Sequence, residues 1–258
     1  MTKVVLITGG TRGIGRALVD VYLRHGFAVA TCSSNPGNTR QLREAYPDEE
    51  KLYVATFDIQ DGQFGRQFVK AVLDRWGTIQ QYYFNSGICQ DKSFSKMTSK
   101  HWQEVIAVNL TAAFDITQAV FEHMKGRTGV KQIFFMTSSS GIGGAFGQAN
   151  YTASKAGLIG LSQTLAIEGE RYDIAVNAIA PAALTDMTAP IIDRLTKICR
   201  QENRPFPSFW QIGTAEMAAE SMYRLSTVAS LGTGQVFTIN GKTIERYQPA
   251  VKAIYDLP

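Results

Sequence analysis

The sequence predicts a doubly wound α/β fold, and three observations carry that prediction. Short apolar runs recur along the 258 residues, separated by longer amphipathic stretches. The runs are continuously apolar rather than alternating, the mark of strands buried on both faces of a sheet. Helices between consecutive strands force parallel pairing and right-handed crossovers.

The first run, Val4-Val5-Leu6-Ile7, leads through Thr8-Gly9-Gly10-Thr11-Arg12-Gly13-Ile14-Gly15 into a helix over 13–25. The second strand is Ala28-Val29-Ala30, followed by a weaker helix over 38–46. Strands at 52–55 and 81–84 flank a helix over 63–76, and a long helix over 99–124 precedes the strand at 133–136. Helices over 150–170 and 214–225 lead to strands at 174–179 and 236–239. The expected product is a Rossmann-type sheet of seven mainly parallel strands with helices on both faces.

Two segments fall outside the alternation. Residues 182–212 carry Pro190, Arg194, Lys197, Arg200, Arg204, Phe206, Phe209 and Trp210. A ligand-covering lid is expected there, because open α/β sheets bind ligands beyond the carboxyl ends of their strands. The C-terminal extension 243–258 holds Ile244, Tyr247, Val251, Ile254, Tyr255 and Leu257, too apolar to rest in water. It is expected to dock on a neighbouring subunit or beside the active site. With no repeat or linker, the chain is expected to form a single domain over 1–258.

Composition narrows the function classes. Cys32, Cys89 and Cys199 match neither a zinc site nor a CxxC pair, and His25, His101 and His123 are scattered, so no metal is expected. Plain thiols imply a reducing, cytoplasmic setting. The N-terminus lacks the pattern of a signal peptide and no apolar stretch approaches 18 residues, so a soluble protein away from membranes is expected. The net charge of +4 is dispersed among nearly as many acids as bases, which argues against nucleic acid.

Glycines 9, 13 and 15 sit between the first strand and the first helix, where backbone and helix N-terminus can hold a pyrophosphate. Thr11, Arg12 and Ile14 belong to the same turn. The second strand ends in Ser33-Ser34-Asn35, with no carboxylate for an adenosine ribose diol. Those neutral donors and the Arg12 guanidinium favour a 2′-phosphate, hence NADPH/NADP+, unless Arg12 merely faces solvent. Asp58, with Ile59 beside it, follows the third strand, either accepting from adenine or capping a loop. Asn85-Ser86-Gly87 follows the fourth, a small-residue turn that lets the cofactor pass.

Tyr151 and Lys155 lie four apart, on one face of a helix, thirteen residues beyond Ser138. A phenol titrates near pKa 10, so proton exchange near neutrality requires about 4 kcal/mol of phenolate stabilisation. A positive charge about 4 Å away at an effective dielectric near 20 supplies roughly that, so Lys155 alone is expected to be nearly sufficient. An oxidised nicotinamide would add to it. Asn109, on the preceding helix, is a fourth polar residue converging on the carboxyl end of the sheet.

The ordered set Thr8 to Gly15, Asn85-Ser86-Gly87, Asn109, Ser138, Tyr151-x-x-x-Lys155 and Pro181 to Met187 resembles the short-chain dehydrogenase/reductase family over roughly residues 3 to 241. Gln148-Ala149-Asn150-Tyr151, Lys96-Met97-Thr98 and Trp102 are most similar to its 3-oxoacyl-thioester reductases, of acyl carrier protein or CoA. The resemblance implies Tyr151 as general acid, Ser138 as hydrogen-bond donor to the carbonyl oxygen, and Lys155 as ligand of the nicotinamide ribose. It implies Asn109 holding a relay water, with Pro181, Ala182, Leu184 and Thr185 among the cofactor-binding residues. It further implies an NADPH-dependent carbonyl reductase in fatty acid metabolism and a homotetramer, or homodimer, built on the helices of Asn109 and Tyr151. Small ketones, steroids, quinones and sugars remain alternative substrates, and a non-catalytic nucleotide sensor an alternative function. Phe84, Ser86, Ala182 and Lys242 depart from the family's usual Asn, Ala, Gly and Gly. Lys125, Arg127, Lys131 and Arg171 are candidates to meet an acidic carrier or a CoA phosphate, or are solvated loop charges.

Overall fold

The computed structural model describes residues 2–47, 49–229 and 231–248. Its sheet runs in the order β3-β2-β1-β4-β5-β6-β8-β9. The strands are β1 Val4–Thr8, β2 Ala28–Ser33, β3 Leu52–Thr56, β4 Gln81–Phe84, β5 Gln132–Met136, β6 Ala175–Leu184, β7 Gly213–Thr214, β8 Val236–Asn240 and β9 Thr243–Tyr247. The helices are α1 Gly13–Arg24, α2 Pro36–Ala45, α3 Gly62–Trp76, α4 Ser99–Ile106, α5 Ala112–Lys125, α6 Ser139–Gly143, α7 Ala149–Gly169, α8 Ala189–Gln201 and α9 Ala215–Ser226. Every strand pair from β3 through β8 is parallel.

Two buried layers explain why the strands carry no polar face. Leu6, Tyr82, Phe84, Ile133 and Phe135 point to one side and pack with Phe68 of α3, Ile116 of α5 and Leu158 of α7. Val5, Ile7, Tyr83, Phe134 and Met136 point to the other, against Leu18 of α1 and Met222 of α9. Side chains alternate along a strand, so a sheet covered on both faces needs apolar residues at every position. All five residues of β1 and of β5 are buried.

The structure adds two strands to the expected seven. β7 pairs with β6 through Gly213 and Thr214 and ties the end of the lid segment to the sheet. β9 pairs antiparallel with β8, Ile239 opposite Ile244. The beginning of the extension is therefore an edge strand of its own sheet, all five residues exposed. Antiparallel to its neighbour, β9 carries the chain back toward the amino ends of the parallel strands, away from an active site at their carboxyl ends. Val251, Ile254, Tyr255 and Leu257 lie outside the described residues.

The long helix is continuous from Ser99 to Lys125 but contains one π-helical turn, Ala107–Thr111. It is long and apolar enough to cross a membrane by length and composition, which the count of uninterrupted apolar residues did not suggest. Half of that apolar window is buried within the protein, including Val105, Val108, Ala113, Ile116 and Val120. Residues 182–184 belong to β6, so the lid proper begins at Thr185 and consists of α8 and a single 3-10 turn, Ser208–Trp210.

Candidate active site

The glycine turn is held by side chains from the neighbouring strand ends. Asn85 Nδ2 donates to the carbonyls of Thr8 and Gly9, each at 3.1 Å. The N–H groups of Asn85 and Ser86 donate to Thr8 Oγ1 at 3.0 and 3.1 Å. Asn85 is thus a brace for the turn, engaged with backbone. A Cβ on Gly15 would stand 2.3 Å from the Gly9 carbonyl oxygen and 2.4 Å from Asn85 Nδ2, so only glycine fits. Arg12 precedes α1 without making a side-chain cap, and the first turn carries no acid. The free N–H groups of that helix end, opened by glycines, fit a pyrophosphate.

At the ribose end, Ser33 Oγ accepts from the Asn35 N–H at 3.2 Å. Asn35 Oδ1 caps α2, accepting from Gly37 N at 2.8 Å and Asn38 N at 3.1 Å. Both residues keep their own donors free, as does exposed Ser34. Arg12 does not simply face solvent: its guanidinium pairs with Asp186 at the base of the lid. Asp58 Oδ1 accepts from Gln60 N at 3.0 Å, a loop cap that leaves the carboxylate further acceptor positions. The Ile59 side chain is buried in the core with Phe68 and Val69, which leaves its backbone to a cofactor. A Cβ on Gly13 would lie 3.3 Å from the Thr185 methyl, which places Thr185 against the turn, while Pro181 and Ala182 pair with Ile239 and Asn240 of β8.

Ser138 follows β5 and caps α6, accepting from Ser140 N at 3.3 Å. Lys155 is buried and donates from Nζ to the Met136 carbonyl at 2.7 Å. Its Nζ stands 5.6 Å from the centroid of the Tyr151 ring. A Cβ on Gly87 would fall 3.3 Å from Lys155 Nζ and 3.4 Å from Asn109 Oδ1, so the turn after β4 closes directly over these groups. Asn109 sits in the π turn with no exposed surface. Its Oδ1 accepts from Ile88 N at 2.8 Å, and its Nδ2 donates to Ile88 O at 3.0 Å and Ser154 Oγ at 3.1 Å. Both Nδ2 hydrogens are thus committed to protein partners, while Oδ1 accepts one bond and keeps a second lone pair.

The electrostatics correct the expectation that Lys155 alone activates Tyr151. Burial raises the Tyr151 phenol well above its ordinary range, the Ser138 hydroxyl lowers it, and the Asp91 carboxylate adds a smaller upward push. Burial also pushes Lys155 down to about 8, against a smaller upward pull from Cys89. Stripping water from a phenolate and an ammonium disfavours both charged forms. The calculation at an effective dielectric near 20 counts the attraction of the two charges but not their desolvation, so it fails where both partners are buried. Cys89 also had no predicted role. It lies two residues past Gly87 in the turn facing Lys155, and that position was the available signal.

The candidate carrier contacts fall away from this site. Lys131 is buried and donates to the carbonyls of Arg127 and Tyr172. Lys125 pairs with Glu122 at 3.0 Å, and the Arg171 guanidinium lies 4.6 Å from the Tyr172 ring centroid. All four precede β5 or β6, at the sheet end opposite Ser138.

The model of short chain dehydrogenase matches residues 3–195. The chain is 32% identical over 245 residues to the acetoacetyl-CoA reductase of Acinetobacter sp., covering 93% of this chain and 96% of that one. It is 32% identical to the 3-oxoacyl-[acyl-carrier-protein] reductase FabG of Chlamydia muridarum over 93% of this chain and 97% of that one. It is also 35% identical over 200 residues to the peroxisomal multifunctional enzyme type 2 of Mus musculus, 74% of this chain and 27% of that protein. The chain thus matches only about a quarter of that larger relative. The solved structure "ElxO with NADP Bound" shares the fold with a TM-score of 0.82 at 22% identity, over 93% of this chain and 98% of that one. Strand order, glycine turn and family match together make the chain an oxidoreductase of the short-chain dehydrogenase/reductase family.

Proposed function

We propose that the chain reduces the 3-oxo group of an acyl thioester, carried on CoA or an acyl carrier protein, to a hydroxyl with NADPH. The observation that carries this reading is the meeting of Ser138, Tyr151 and buried Lys155 at the sheet end that also holds the uncapped glycine turn. Gly9, Thr11, Gly13, Ile14 and Gly15 would cradle the pyrophosphate. Arg12, Ser33, Ser34 and Asn35 would meet a 2′-phosphate, with no carboxylate among them to repel it. Bound there, the nicotinamide would supply the hydride. Tyr151 gives its proton to the carbonyl oxygen while Ser138 donates a hydrogen bond to it, and Lys155 holds the ribose hydroxyls. Asn109 fixes Ile88 and Ser154 around them.

The acetoacetyl-CoA and 3-oxoacyl reductases among the relatives support the thioester. On the lid, exposed Arg194, Lys197 and Arg200 of α8 are better placed than Lys125 or Lys131 to meet carrier phosphates. Exposed Phe114 and Ile167 border a cavity of about 810 Å³ on the outer faces of α5 and α7, and this surface is our proposed seat of a homotetramer or homodimer. Three free thiols suit a cytoplasmic protein.

NADPH oxidation followed by absorbance, with acetoacetyl-CoA, carrier-linked 3-oxoacyl chains, quinones and simple ketones, tests the proposal. Turnover should be fastest on a thioester, and turnover on ketones alone would refute the substrate class. Tyr151→Phe should lower the rate by about 10² to 10⁴ while NADPH binding persists.

A further inference from the structure

The two most exposed large apolar side chains among the described residues are Phe146, 95% exposed, and Phe94, 81% exposed. They belong to different loops, and those loops meet. Phe146 lies between α6 and α7, eight residues past Ser138 and five before Tyr151. Gly144 and Gly147, on either side of it, both hold a φ of +78°, a conformation that residues with side chains rarely adopt. Phe94 opens the 3-10 turn Phe94–Lys96 in the loop that runs from β4 to α4. Between the two phenylalanines, Lys92 N donates to the Gly147 carbonyl at 2.8 Å, and a Cβ on Gly147 would lie 3.9 Å from Ser93 N. Behind that contact, Gln148 donates to Asp91 at 2.9 Å and Asn150 to the Gln90 carbonyl at 3.3 Å. A braced pair of loops therefore carries both rings at the mouth of the site, with neither packed into the protein. Large apolar side chains left together in water mark a binding surface.

We propose that Phe94 and Phe146 bind the alkyl chain of the 3-oxoacyl substrate and so set a preference for long chains over acetoacetyl. The inference rests on the thioester-reductase reading of the site. With the 3-oxo group held by Ser138 and Tyr151, two arms leave its carbon. One bears the thioester and a phosphate-ended carrier, which suits the exposed cations Arg194, Lys197 and Arg200 of the lid. The amides of that arm need hydrogen-bond partners, which phenyl rings do not supply. The other arm is hydrocarbon, and an aromatic surface removes it from water. In acetoacetyl-CoA this second arm is a single methyl group, which stays beside the carbonyl. A longer chain emerges at the rim, where the two rings stand free to meet it.

The test is kcat/KM for acetoacetyl-CoA, 3-oxooctanoyl-CoA and 3-oxododecanoyl-CoA in wild type, Phe94→Ala, Phe146→Ala and Phe146→Leu. Both rings are exposed, so their removal leaves the core untouched. Wild type should favour the longest chain. Each alanine variant should lose about tenfold on 3-oxododecanoyl-CoA, mostly through KM, and stay within about twofold on acetoacetyl-CoA. Phe146→Leu, which keeps an apolar side chain, should retain most of the preference. A long-to-short ratio unchanged in both alanine variants would overturn the proposal. So would a change in subunit mass on sedimentation with that ratio intact, which would give the rings to a second copy of the chain. Isothermal titration of the NADP+-loaded protein with dodecanoyl-CoA, which has no 3-oxo group to reduce, reads the same contact without turnover. A wild type that reduces nothing would sink the thioester-reductase reading, whereas weaker dodecanoyl-CoA binding by the alanine variants would still uphold the aromatic site. Equal or absent binding of that probe in wild type and variants would refute it.

Discussion

The nucleotide cradle and the proton-transfer corner share one end of the sheet and are built in opposite ways. The cradle is backbone: glycines, an uncapped helix end and carbonyls braced by Asn85. The corner is side chain: a buried lysine, a buried asparagine in a π turn and a tyrosine whose proton is held by burial. A backbone site depends on space and fails by steric conflict. A buried side-chain site depends on desolvation, so it changes with pH and with neighbouring charges.

The largest expected effect comes from filling the cradle. Gly15→Ala would push a methyl into the Gly9 carbonyl and the Asn85 amide. It should lose about 3 kcal/mol of stability, measured by denaturant unfolding, together with NADPH binding. Full retention of both would mean that the turn is far softer than its contacts imply.

Next comes the pH response of the corner. Lys155 titrates at about 8 in the fold and near 10.4 unfolded. Between those values the unfolded chain binds the extra proton, so this group makes stability rise with pH, with the gain complete only above the unfolded pKa. From pH 8 to 9.5 Lys155 should contribute a rise of about 1.6 kcal/mol, read as the difference between wild type and Lys155→Met, because the thiols Cys32 and Cys89, both held above their ordinary range by burial, lower stability over the same window. Matched denaturant titrations at the two pH values measure the difference. A rise that persists in Lys155→Met would assign it to another group.

The smallest effect belongs to the contact joining the cradle to the lid. Arg12 and Asp186 are both well exposed, so Asp186→Asn should change stability by less than about 1 kcal/mol. Freed from that partner, Arg12 should bind NADPH more tightly relative to NADH, as paired isothermal titrations would record.

The difference between the two regions also governs what the sequence revealed. Seven strands, the glycine turn and the Ser138-Tyr151-Lys155 spacing were legible because each rests on local pattern: apolar runs, glycine positions and helical periodicity. β9 was not, since Glu245 and Arg246 interrupt its apolar residues and its pairing is made only after a tight turn from β8. The burial of the Ile59 side chain was not legible either, because its neighbour Asp58 has the polar character. Lys131 was taken for a surface cation, though its long side chain reaches two carbonyls under the loop. The state of Lys155 was hidden for a different reason, since spacing gives proximity but burial decides whether a charge survives there.

The π turn at Asn109 gives the long helix a sensitivity to insertions and deletions that its composition hides. A π turn holds one residue more than the α-helical path requires. Removing a single residue from Ala107–Thr111 would restore regular α-helix, a change helical propensity barely registers. It would leave α4 and α5 in phase but re-aim the residues within the turn, Asn109 among them, and so disturb its bonds to Ile88 and Ser154. The length of this helix is therefore fixed by the site it serves rather than by the helix itself.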